Sequence, residues 1–263
     1  MNFSIVIPIL LGWVGGLFIN YIADVLPYTR TLTQPGCPHC QTQFTWADYL
    51  TLRACRACGK RRFVRAWLVQ ILTVASFAYF WLVPSKALGI PLGMIVLVYF
   101  GIVTVIDLEH RLILHPTSIA GAILGLVAGT SLNSRVNDNG LWLGLGMSLL
   151  GGLFGFGVMF LFYQLGALFS RMRARRMRAA GQAEDEEEAL GGGDIFLLGV
   201  LGLLLGWPFI WDALLLGILL GGAFSFLFLV ILLLRGRYSS EALMTFIPYG
   251  PYFVASAFYL LFL

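Results

Sequence analysis

IWDALLLGILLGGAFSFLFLVILLL, residues 210–234, holds a single charged side chain, Asp212, near its start. A run of that length and apolarity crosses about 30 Å of hydrocarbon as a helix. Only helices and closed barrels satisfy their own backbone in lipid, and continuous apolarity lacks the alternation of a barrel strand. Working outward, further apolar segments fall at 3–23, 66–84, 88–106, 114–132, 141–169, 192–208 and 246–263. With 210–234 they make eight expected spans, an all-α polytopic membrane helical bundle. Gly206-Trp207-Pro208 reads as a tight turn between the sixth and seventh spans, with a kinked single helix or a re-entrant pair as the competing readings. The first segment lacks a basic n-region, and Asn20-Tyr21 is not a small-residue cleavage site, so it is expected to remain as a mature span. Of 263 residues, 59% are hydrophobic and only 11% charged, which excludes an ordinary soluble domain.

Lysine and arginine set the expected orientation. With the N-terminus outside, the cytoplasmic segments hold Arg30, Arg53, Arg56, Lys60, Arg61, Arg62, Arg65, Arg111, five arginines between 171 and 178, Arg235 and Arg237, which is 15 of the 17 basic residues. Lys86 and Arg135 remain outside. The net charge of +4 is thereby explained by chain orientation and contact with anionic membrane lipids, with no nucleic-acid partner required. The expected organisation is a first transmembrane helix at 1–23, a cytoplasmic four-cysteine subdomain at 24–65, and a transmembrane core at 66–263. A charged linker interrupts the core at about 170–191, basic in its first half and acidic at 184–188.

Cys37-Pro-His-Cys40 and Cys55-Arg-Ala-Cys58 form two C-x2-C pairs separated by 14 residues. That is close to the two-knuckle spacing of a four-thiolate zinc site, and on the cytoplasmic side thiols stay reduced. A closed four-thiolate site leaves no open position, so its zinc is expected to be structural, stapling a segment too small to bury its own core. His39, inside the first knuckle, is expected at the surface; a redox dithiol is the competing reading of the cluster.

Outside the linker run the carboxylates are Asp24, Asp48, Asp107, Glu109, Asp138, Asp194, Asp212 and Glu241. Asp107 ends the apolar run Val103-Thr-Val-Ile106, and Asp194 begins Ile195-Phe-Leu-Leu198, both at the expected cytoplasmic face. An ionisable group on a membrane helix is a functional candidate by default. Gly191-Gly-Gly193 before Asp194 permits close backbone approach to another helix or an extended peptide. Two neighbouring carboxylates do not readily both ionise, so one can deprotonate water while the other polarises a carbonyl. The competing structural readings are a polar helix end for Asp107 and a helix N-cap for Asp194.

These features together resemble the type IV prepilin peptidases, the bacterial leader peptidases of the GxGD aspartyl class. Gly16-Leu-Phe-Ile-Asn20 with Leu26-Pro27 is similar to the family's segment before its cysteine subdomain. The paired knuckles follow in the family's order. Ile106-Asp107-Leu-Glu-His-Arg-Leu-Ile113 is similar to the segment of the first catalytic aspartate, and Gly191-Gly-Gly-Asp194 matches the G-x-G-D of the second. Ile247-Pro248-Tyr-Gly250-Pro251 is similar to the terminal I-P-F-G-P. The resemblance implies catalytic Asp107 and Asp194, supporting roles for Asn20, Gly191, Gly193, Pro248 and Gly250, and a multi-pass location in the bacterial inner membrane. It also implies that prepilins or pseudopilins are the substrates, and that many members methylate the new N-terminus with S-adenosylmethionine.

The chain departs from the family in three places. Pro116 is displaced relative to the family's proline, Phe196 stands where a lysine is frequent, and Gln70 stands where glutamate is usual. His110 and His115 are expected to hydrogen-bond water or backbone at the interface and not to serve as bases. Two other functions compete: a proton- or ion-coupled transporter, disfavoured because no inverted repeat is visible and both aspartates lie at one face, and a non-enzymatic scaffold docking through its knuckles.

Overall fold

The computed structural model describes residues 5–37, 39–60, 64–84, 88–136, 140–179, 191–234 and 248–263, without the side chains of 136 and 173–179. The acidic run 184–188, Arg61, Arg62, Lys86, Asp138, Arg235, Arg237, Glu241 and Ile247 lie outside the described residues. The described residues form nine helices: α1 (Val6–Thr29), α2 (Trp46–Leu50), α3 (Val64–Leu82), α4 (Ile90–His110), α5 (His115–Val136), α6 (Leu141–Ala179), α7 (Gly192–Leu205), α8 (Phe209–Leu234) and α9 (Gly250–Phe262). The protein is an all-α polytopic membrane protein.

Five helices, α1, α3, α4, α6 through Met172 and α8, are long and apolar enough to cross a membrane. Their outward faces carry exposed Leu10, Val14, Leu72, Leu153, Leu219 and Leu227, as lipid contact requires. The other three expected spans are also helical. α5 is long enough but carries more polar and small residues, and α7 and α9 are short apolar helices.

The largest departures from the expected span limits are at the ends of α1 and α6; α4 and α5 each run four residues past their expected limits, and α7 stops three short of its own. α1 runs to Thr29, past the expected limit at 23, with Val25 and Leu26 buried against the protein; Pro27 lies inside it and lacks the N–H that would bond the Ala23 carbonyl. Arg30 closes it in the left-handed region at φ 55°. α6 continues to Ala179, so the linker expected from 170 begins within a helix; Arg, Met and Ala are strong helix formers and extend it into the basic stretch.

The chain divides into two compact units, Met1–Arg111 with Phe262–Leu263, and Leu112–Leu261. In the first, α1 packs on α3 where Gly12 faces the Val74 backbone, and α3 packs on α4 where Phe80 covers Gly93. In the second, α7 is enclosed by α5 and α6, with Leu197, Leu198, Leu201, Leu204 and Leu205 all buried. Its 14 residues rise about 21 Å, less than the hydrocarbon thickness, so its C-terminal carbonyls end among protein groups. Asn133 Nδ2 donates to the Leu205 carbonyl at 3.3 Å, the Ser148 hydroxyl donates to the Leu203 carbonyl, and Trp207 N–H donates to the Met147 carbonyl at 3.0 Å. The chain breaks at Gly206-Trp207-Pro208 before α8, where the tight turn was expected. α8 and α9 meet where Phe253 packs on Gly217 and the Ser256 hydroxyl donates to the Ala213 carbonyl at 2.8 Å.

Candidate active site and cysteine cluster

Asp107 lies in the last turn of α4 with its side chain buried. The helix ends three residues later because Arg111 takes the left-handed conformation at φ 52° and donates its N–H to the Asp107 carbonyl at 2.9 Å. The aspartate is thus held by helix geometry at an abrupt end, and not on a drifting polar loop. His110 packs edge-on against Tyr28 of α1, with ring centroids 5.2 Å apart.

Asp194 is the third residue of α7, half-buried, with its N–H donating to the Gly191 carbonyl at 3.1 Å. The N-cap is Gly191, so Asp194 is not the cap residue, and its carboxylate sits in the first turn, where the helix dipole favours negative charge. A Cβ on Gly193 would lie 2.8 Å from Ile113 Cβ, whereas among the described residues nothing lies within 4 Å of a Cβ on Gly191 or Gly192. Gly193 therefore lets α7 start against Ile113, where any side chain would collide.

Beside this first turn, within the second unit, lies an apolar cavity of about 340 Å³ lined by His115, Ser118, Leu149, Phe156, Phe196 and Leu203, among others. His115 and Phe196 stack obliquely across it at 5.8 Å. Pro116 sits in the first turn of α5, so the displaced proline is a helix start. Pro248 precedes α9, and Gly250, buried, begins it.

Asn20 and Gln70 are fully buried on the α1–α3 seam. Asn20 Nδ2 donates to the Ala66 carbonyl at 3.1 Å, and Gln70 Nε2 donates to the Trp13 carbonyl at 2.6 Å, beside Gly16.

The four cysteines come together: the Sγ atoms lie within 4.8 Å of one another. Cys37 and Cys58 are 3.7 Å apart and Cys40 and Cys55 3.6 Å. Tetrahedral zinc with Zn–S of about 2.3 Å needs sulfur separations of about 3.8 Å, so the donor set fits that ion. Both knuckles have the same backbone: Cys37 and Cys55 N–H donate to Thr42 and Lys60, their carbonyls accept from Gln41 and Gly59, and these two residues have φ of 57° and 68°. Hydrogen bonding with the hydroxyl and then the backbone of Thr42 lowers the Cys40 thiol to about 6, whereas Cys58, lowered by the Lys60 backbone but raised by desolvation and by the neighbouring thiols, is pushed up to about 11. His39 is exposed and outside the sulfur cluster.

Sequence reasoning missed the polar group that joins this module to the helices. Tyr49 OH donates to Asp24 Oδ2 at 2.5 Å, Arg65 donates to Asp24 Oδ1, and Arg65 Nε stands 3.0 Å from Glu109 Oε1. The available signal was that Asp24, Arg65 and Glu109 all sit at ends of apolar segments on the same expected face.

Fold and site together define a multi-pass membrane protein with carboxylates at helix ends and a cluster of four cysteines. A model of the type IV leader peptidase family matches residues 94–226, which include both Asp107 and Asp194, and the chain belongs to that family. It is 29% identical over 237 residues to a protein named prepilin leader peptidase/N-methyltransferase from Myxococcus xanthus, covering 84% of this chain and 62% of that one. A protein of the same name from Pectobacterium carotovorum is 26% identical over 179 residues, covering 65% of this chain and 56% of the relative. The chain thus spans about three fifths of the length of these curated relatives. No solved structure matches it.

Proposed function

We propose that this protein is an aspartyl endopeptidase of the bacterial inner membrane, removing the leader peptide of prepilins or pseudopilins at the cytoplasmic face. The observation that carries this reading is the placement of Asp107 and Asp194, both within the family-matched segment, at the end of one apolar helix and the start of another. In the proposed reaction one carboxylate, ionised, takes a proton from water while the other, protonated, donates to the scissile carbonyl oxygen. The hydroxide oxygen adds to the carbonyl carbon, the C–N bond breaks, and the leaving amine takes a proton from the dyad. The substrate's apolar helix lies among the spans, and its basic leader stays in the cytoplasm. The apolar cavity beside α7 supports that placement. Eight spans with the N-terminus outside complete the topology.

The cysteine module, loaded with zinc by Cys37, Cys40, Cys55 and Cys58, acts as a structural staple; it offers no open coordination position, so no step passes through the metal. N-methylation is named in both relatives. Gln70 spends its amide on the Trp13 carbonyl and is enclosed, so it supplies no carboxylate toward a sulfonium cofactor, and no step here uses S-adenosylmethionine. Purified protein incubated with a synthetic prepilin N-terminus, with and without S-adenosylmethionine and read by mass spectrometry, tests both activities. Cleavage after the leader in either condition supports the peptidase, a mass gain of one methyl adds the second activity, and an intact peptide in both conditions refutes the proposal.

A further inference from the structure

Tyr49, on the five-residue helix α2, shares its small core with two of the metal-site cysteines, Cys37 and Cys55, and with Phe44. Its ring also packs edge-on against Tyr21 of α1. So short a helix has no stability of its own, and where the Tyr49 hydroxyl points is set by the cluster around it. That hydroxyl donates to Asp24 on α1, Asp24 accepts from Arg65 on α3, and Arg65 pairs with Glu109 on α4. Arg65 and Asp24 are only 22% and 20% exposed, so water screens them less than a surface pair. Glu109 follows Asp107 by two residues in the same last turn. All five residues belong to the first unit.

We infer that Arg65 is a positioning residue that transmits the folded state of the cysteine module to the α4 turn carrying Asp107, through Tyr49, Asp24 and Glu109. A guanidinium suits this place because its planar fork holds carboxylates on two helices at once, which a lysine's single ammonium does less well. The approach to Glu109 is a charge contact and not an aligned hydrogen bond, so this link acts through the attraction of opposite charges 3.0 Å apart. The metal module thereby reaches the peptidase site without touching substrate.

The inference rests on Asp107 acting in leader cleavage, and its test carries a readout independent of cleavage. Full-length, zinc-loaded protein in detergent is compared with Tyr49→Phe, Arg65→Met and Glu109→Gln. Each is expected to lower kcat about tenfold with KM and zinc content unchanged, a loss of the size expected from a small misplacement of a catalytic group. Tyr49→Phe combined with Glu109→Gln is expected to be no slower than either alone, since one chain of contacts is cut twice. A nitroxide on Leu108→Cys, an exposed position in the same turn, is expected to gain mobility in all three variants. Unchanged nitroxide mobility in the three overturns the inference whatever the activity, as does multiplicative loss in the double variant. Full cleavage by Asp107→Asn would instead strike the proposed function and leave the mobility result to decide the relay.

Discussion

Gly193→Ala is the sharpest perturbation that the geometry allows next to Asp194. The added Cβ would sit 2.8 Å from Ile113 Cβ and 3.3 Å from Ile113 N. Carbon contacts settle at about 3.5–4.0 Å, so α7's first turn or the Ile113 backbone must give by about 0.7–1.2 Å. Ile113 Cβ is fixed to the main chain, so no side-chain rotation relieves the clash. Overpacking of this kind costs about 1–3 kcal/mol. The gain in helix propensity on leaving glycine offsets at most about 1 kcal/mol of that. With about 1.4 kcal/mol remaining and expressed at the neighbouring carboxylate, kcat for leader cleavage should fall about tenfold. Gly192→Ala adds a Cβ that comes within 4 Å of none of the described residues and should stay within about twofold. Because the collision is with Cβ, Ile113→Gly should restore most of the loss in the Gly193→Ala background and Ile113→Ala little of it. The assay is steady-state cleavage of a synthetic prepilin N-terminus at saturating substrate, with thermal unfolding in detergent run alongside. Wild-type kcat in Gly193→Ala, or equal rescue by alanine and glycine at 113, would refute the close-approach argument.

Metal analysis of purified protein should return about one zinc per chain, lost in Cys37→Ser and Cys58→Ser; metal-free protein under reducing conditions would remove the knuckle reading. Hydrogen bonds from Arg56, then Thr45, hold the Asp48 carboxyl below the ordinary carboxylate range. That contribution is complete above the ordinary pKa and disappears as pH falls through the depressed one, so Asp48→Asn should flatten the acid limb of hydrogen exchange at residues 45–53, and an unchanged limb would count against the pair. Gln70→Glu replaces the donor to the Trp13 carbonyl with an acceptor in a fully buried place, and should lower stability by about 1–3 kcal/mol or more, seen as an earlier thermal transition. An unshifted transition would mean the seam does not depend on that bond.

The helical class was readable because the lipid requirement leaves so few alternatives to a run such as 210–234. Spacing alone pointed to the cysteine cluster, since two C-x2-C pairs already prescribe the loop that brings four sulfurs to one point. Asp107 and Asp194 stood out as carboxylates at the ends of apolar runs, where charge is costly. Less was readable where structure depends on side chains far apart in sequence. Arg65 reaches partners 41 and 44 positions away, and no periodicity announces that. The Gly193 contact with Ile113 and the caps that Asn133 and Ser148 place on α7 arise from tertiary proximity that one-dimensional patterning does not encode. Helix limits also moved where local propensity outran apolarity, as in the basic extension of α6 to Ala179.

Asp107→Asn and Asp194→Asn, singly and together, tested for leader cleavage in protein whose thermal transition and zinc content match the wild type, put the shared-water dyad at risk most directly. Each single change should abolish cleavage, and the double variant should be no worse, because the two carboxylates work on one water as a unit. Normal cleavage by either asparagine variant would contradict it.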